Sequence, residues 1–126
     1  MVYTPIKGYP NFGTHLVVPP IAFPATIAAD TTWNSDLIPS AFGGVSFTAQ
    51  SDTSGVVITI QRYADLAGNC PVGSAWTATL DGTDVGWCGG VDGVPYLSFN
   101  CSITNSGGTT VNMSNMQILT GSSLTQ

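Results

Sequence analysis

From Ala25 onward, apolar and polar residues alternate with a period of two, the spacing of a strand with one buried face. Val45, Phe47 and Ala49 alternate with Ser46, Thr48 and Gln50. After the turn Ser51-Asp52-Thr53-Ser54-Gly55, the chain resumes with Val56, Ile58 and Ile60 against Val57, Thr59 and Gln61. Two such runs around a turn of this composition predict a hairpin. Trp76, Ala78 and Leu80 share another face, ahead of the turn pair Asp81-Gly82. Leu97, Phe99, Cys101 and Ile103 alternate with Ser98, Asn100, Ser102 and Thr104, and this phase directs Cys101 inward. The last run begins with Val111 and Met113 but continues with Met116 and Ile118 on the other parity, so a bulge near Asn115 is expected.

A further strand over about Thr26 to Trp33 and short ones near Leu16 and Val85 bring the total to roughly seven or eight, separated by regular turn signals. No helical period competes, and no internal repeat is evident. The pattern predicts an all-β fold, an antiparallel β-sandwich of jelly-roll-like or other Greek-key arrangement, with the strand order left open.

Residues 1–24 read differently. They hold Pro5, Pro10, Pro19, Pro20 and Pro24 among aromatic residues. Proline fixes φ and removes a donor, so the segment is expected to be an extended arm, with the sandwich domain spanning 25–126. It is too aromatic for a solvated linker. Either it packs on its own domain or it reaches a neighbouring subunit; for the second reading Tyr3, Tyr9, Phe12, His15 and Phe23 are the interface candidates.

Charge narrows the function. Lys and Arg number 2 and Asp and Glu 7, a net −5, with only 7% of residues charged. A typical chain carries about 25%. All the acids are Asp, and the only strong bases are Lys7 and Arg62. Two bases cannot neutralise the phosphates that dominate nucleic-acid binding, so no nucleic-acid partner is expected. Hydrophobic residues reach 43% and mean hydropathy +0.25. Even so, no apolar run approaches the ~20 residues of a spanning helix, and no membrane partner is expected. The N-terminus lacks a charged stretch followed by an apolar one, so it reads as a cytosolic start. Three cysteines, an odd number, fit a reducing birthplace. Cys70 and Cys88, both beside turn residues, are the pair to consider if an oxidising medium is met later.

Candidate chemistry is sparse. His15, the only histidine, has no nucleophile motif near it in sequence. Asp52, Asp81, Asp84 and Asp92 sit in turn sequences, where Asp caps backbone donors. Asp81, Asp84 and Asp92 lack the spacing of an EF-hand loop, and the cysteines lack that of a zinc site. No catalytic residue, metal or cofactor is assigned, and a small hydrolase is set aside for want of an acid–base pair. Arg62 continues the inward phase of Ile58 and Ile60, so its guanidinium needs carboxylates or carbonyls; Asp65 is the nearest candidate. The Gly-rich stretch Cys88-Gly89-Gly90-Val91-Asp92-Gly93 is expected to be an exposed loop, flanked by Trp87 and Tyr96 as a possible ligand site.

The stretch from Ser35 to Leu80, with YLSFNCSITN and VNMSNMQIL, resembles the small β-sandwich virion proteins of tailed bacteriophages. The likeness is carried by Ser-Asp-Leu-Ile-Pro, the Ala-Gln-Ser-Asp-Thr-Ser-Gly turn and Ile-Gln-Arg-Tyr-Ala-Asp. It implies a non-enzymatic decoration or cement protein of the virion, assembled in the host cytoplasm. As a homotrimer it would bind the major capsid protein or other virion proteins through its arm and sandwich. The alternative is a receptor- or carbohydrate-binding domain of a phage fibre, using the rings near Trp87 and Tyr96.

Overall fold

A computed structural model of the chain describes residues 19–39, 44–91 and 96–121. They form an all-β, antiparallel sandwich. Its strands are β1 (Thr26–Ile27), β2 (Thr31–Asn34), β3 (Ile38–Pro39), β4 (Gly44–Ser51), β5 (Val57–Tyr63), β6 (Pro71–Thr79), β7 (Gly86–Val91), β8 (Ser98–Asn105) and β9 (Val111–Gly121). One sheet has the order β1-β9-β4-β7 and the other β2-β8-β5-β6, with β3 continuing the β2 edge along β8.

The pairings are nested. β1 pairs with β9, β2 with β8, β4 with β7 and β5 with β6, all antiparallel. The chain is thus one long hairpin laid over on itself, and β4·β9 and β5·β8 stitch the folded ribbon into two sheets. This is the strand order of a jelly roll, one way an antiparallel fold can manage its edges. The short strand foreseen near Leu16 lies outside the described residues.

Alternation sets which side chains meet between the sheets. Val45, Phe47 and Ala49 of β4 face Ile58 and Ile60 of β5 and Phe99, Cys101 and Ile103 of β8, all of them buried. Leu97 is exposed, because the inward phase of β8 starts only at Ser98 and Phe99. The parity change in the last strand is a bulge. Between the pairs Thr48↔Gln117 and Gln50↔Ser114, β4 contributes Ala49 alone while β9 contributes Asn115 and Met116. Asn115 takes φ 52°, a left-handed conformation that Asn tolerates better than most residues.

The Gly-rich stretch expected as an exposed loop is, through Val91, strand β7, with Cys88 buried. The lack of side chains explains the difference. A Cβ on Gly89, whose φ is +142°, would collide with the carbonyl oxygen of Val45, so only glycine lets β7 lie this close to β4.

A polar plug closes one end of the core. Asn105 is 3% exposed, and its Nδ2 lies 3.1, 3.1 and 2.8 Å from the carbonyl oxygens of Ile27, Ala28 and Thr109. Its Oδ1 accepts the Gly107 N–H at 3.0 Å. One side chain therefore joins β1, β8 and the turn into β9. Asn105→Ala leaves those groups without partners and is expected to cost about 2–3 kcal/mol. The check is a denaturant-midpoint comparison with the wild-type chain, where an unchanged midpoint would show the plug to be dispensable.

Candidate functional site

Pro19 is buried, and the extended segment from Pro19 to Ala25 leads into β1, with the Ala25 carbonyl accepting the Met113 N–H. Phe23 enters the edge of the sandwich, its ring stacked on Phe47 (centroids 5.7 Å, 15°) and tilted against Trp33 (5.7 Å). Such aromatic pairs contribute roughly 0.5–1.5 kcal/mol beyond area burial. Ile21 also packs on the core. Ile21 and Phe23, at the end of the segment expected as an arm, thus pack on the core of the sandwich. Of the interface candidates, Phe23 is placed there; Tyr3, Tyr9, Phe12 and His15 lie outside the described residues.

A groove of about 420 Å³ borders this root, lined by Pro19 to Ala22 and by Trp33 to Pro39, where the edge is interrupted between β2 and β3. The interruption is a fixed feature. The Ser35 N–H donates to the Cys101 carbonyl, and the Cys101 N–H donates to Ser35 Oγ at 3.0 Å.

Arg62 is buried, as its inward phase requires. Between Ile60↔Trp76 and Arg62↔Val72, β5 contributes only Gln61 whereas β6 contributes Gly73, Ser74 and Ala75, which bulge outward. Arg62 donates from an Nη to the Ser74 carbonyl at 2.8 Å, and its guanidinium lies 3.8 Å from the centre of the Trp76 ring. Gly73, at φ +66°, turns the bulge beside that same nitrogen. Burial pushes the Arg62 pKa down, and Tyr96, itself buried, opposes the shift. The Trp76 ring also reaches Gly90 of β7, so this stack ties the edges of the two sheets together.

Asp65 works elsewhere. Its carboxylate accepts from the backbone N–H groups of Asn69 and Cys70 at 3.0 Å each, and its carbonyl accepts from Ser98 Oγ at 2.6 Å. Asp81 Oδ1 likewise accepts from the N–H groups of Thr83 and Asp84, both at 2.8 Å. Asp52 accepts from the N–H of Asn112 at 2.9 Å and from its side chain at 2.7 Å. These bonds hold all three carboxyls below their usual pKa. Among the described residues, no three His, Cys, Asp or Glu side chains come together as a metal set; Asp92 is outside those residues.

Cys88 and Cys101 occupy the core, while Cys70 is exposed. Burial, with the neighbouring Cys101 second, pushes the Cys88 thiol up to about 12, and burial pushes Cys101 up to about 11. Both are packing residues. Trp87 and Tyr96, paired in sequence as flanks of one loop, part company: Trp87 is 63% exposed on β7, and Tyr96 is 6% exposed. Sequence reasoning missed the neighbours Trp87 has on the sheet. Thr48 is its partner across the ladder and Gln117 is the next residue over. Their outward parity was readable, but not the strand order that aligns them.

No family model matches the chain, and no curated protein matches it significantly.

Two solution tests follow from these environments. In the native protein at mildly alkaline pH, a thiol reagent should label Cys70 alone, with Cys88 and Cys101 reacting only after denaturation; rapid labelling of either in the native state would contradict the packing. For the carboxyls, a depressed folded-state pKa means that the stabilisation is present above the unfolded value, near 3.8, and is lost as pH falls through the lowered one. Denaturant midpoints should therefore decline below that value. Asp65→Asn should flatten the decline, since its amide oxygen accepts the same bonds without titrating.

Proposed function

We propose that the chain is a non-enzymatic structural component of an assembled particle, a virion decoration or cement protein of the tailed-phage kind. It binds the major capsid protein or neighbouring virion proteins through its N-terminal arm and sandwich, and it does so as a homotrimer. The observation that carries this reading is the anchored root of the arm. Pro19 is buried and Phe23 is stacked on Phe47, so the Pro- and aromatic-rich residues before them start from a fixed point on the sandwich. A root held in this way lowers the entropy lost when the preceding segment docks.

Three further observations support the reading. The sequence resemblance to small phage virion proteins covers the packed domain. The jelly-roll order recurs in viral capsid domains, an analogy of fold. At 7% charge, subunit faces can be buried without desolvating many ions. Of the seven acids, Asp65 and Asp81 cap turns and Asp52 is bonded to Asn112 of β9, which gives these three a structural role.

The test is a truncation ending at residue 18, which keeps Phe23 in place. Residues 19–126 should fold with an unfolding midpoint close to that of the full chain, yet fail to cosediment with phage capsids stripped of this protein. Full binding by the truncated chain would refute the role of the arm.

A further inference from the structure

The outer face of the β1-β9-β4-β7 sheet carries a row of three side chains. Thr48 of β4 is paired with Trp87 of β7 on one side and with Gln117 of β9 on the other. All three point away from the core, because their neighbours Phe47, Cys88 and Ile118 are buried within it. Strands lie about 4.8 Å apart, so the backbones of Trp87 and Gln117 stand about 10 Å from each other on either side of Thr48.

Trp87, at 63%, is the most exposed of the large hydrophobic residues described. Neither its ring nor the Gln117 carboxamide has a hydrogen bond or ring contact among the described residues. Beside the row, Asn115 Nδ2 donates to Gln50 Oε1 at 2.6 Å, and Gln50 in turn donates to the Thr83 carbonyl, so these amides are held in place. Thr48, Asn115 and Gln117 line a shallow depression of about 570 Å³ whose other lining is apolar, Val85 and the arm-root residues Pro19, Ile21 and Phe23 included; Trp87, the ladder partner of Thr48, lies outside that lining. No ionisable side chain lines it.

We propose that this face binds a neutral oligosaccharide. One pyranose lies with its C–H face on the Trp87 indole, and its hydroxyls or those of the next ring meet Thr48, Asn115 and Gln117. The chemistry selects this ligand over others. A sugar hydroxyl both donates and accepts, and so do a threonine hydroxyl and a carboxamide. The indole supplies an apolar plane with a polar edge, matching a ring that is apolar on its faces and polar around its rim. An anionic polymer would find no cation in the depression, and a purely apolar ligand would leave the Gln117 carboxamide unpaired. This inference is separate from the proposed role of the arm: Trp87, Thr48, Asn115 and Gln117 all belong to strands of the sandwich.

The experiment is a screen of the full chain against an array of neutral oligosaccharides, followed by titration of the hits with tryptophan fluorescence as the readout. Saturable binding that quenches or shifts the Trp87 emission is expected. Trp87→Ala should weaken it about tenfold or more, the scale of a lost aromatic stack, while Trp87→Tyr keeps part of it. Gln117→Ala should weaken it by a smaller factor. Both positions are exposed, so unfolding midpoints should match wild type and separate loss of binding from loss of fold. Absence of saturable binding to any neutral glycan, or equal binding by Trp87→Ala, would overturn the proposal. So would a Trp87→Ala variant that loses capsid binding with no glycan bound by wild type, since the face would then be a protein interface.

Discussion

The burial of Phe47 is the contact from which the rest of the structure follows. It sits on β4, which pairs with β7 on one side and β9 on the other, and its ring is wholly enclosed. With Phe47 inward, Thr48 must point outward, and the ladders then place Trp87 and Gln117 beside it. A slip of one residue would exchange the two faces, exposing Phe47 and burying Thr48, so the core contact and the outer row are set by the same register. Phe47 also receives Phe23. Core, arm root and outer face are thus joined through two consecutive residues of one strand.

Much of this was readable along the chain, because a half-buried strand writes its two faces into alternate positions. The runs around Phe47, Ile58, Cys101 and Val111, and the bulge at Asn115, all follow from parity alone. The inward Arg62 was visible in the same way, but its partners were not. They are a carbonyl displaced by a bulge in β6 and a tryptophan ring on that strand, and a bulge of this size leaves no trace in alternation. Asp65, close in sequence, instead caps the loop that it begins. Strand β7 was hidden because glycine carries no side chain from which a phase can be read, although its absence at Gly89 is what permits the close approach to β4. Strand order, and with it the alignment of Trp87, Thr48 and Gln117, depends on long-range pairing that no local pattern encodes.

The low charge takes its meaning from where the few ionised groups sit. Asp65 and Asp81 are tied to the backbones of their own turns, Asp52 is tied to Asn112 of β9, and Arg62 is buried. The outer row of the four-stranded sheet presents hydroxyls, amides and an indole. A face of this kind associates by shape and neutral hydrogen bonding, with little ionic steering and little salt dependence. Both functional readings, an arm that docks on other subunits and a face that holds a neutral sugar, draw on that distribution.

The proposed assembly role requires the segment before Pro19 to reach from its own sandwich to another polypeptide. A density map of the full chain in its assembled state tests this most directly. Density running from Pro19 through the preceding residues onto a neighbouring chain is expected. Density for residues 1–18 folded wholly back onto the sandwich that carries them would contradict it.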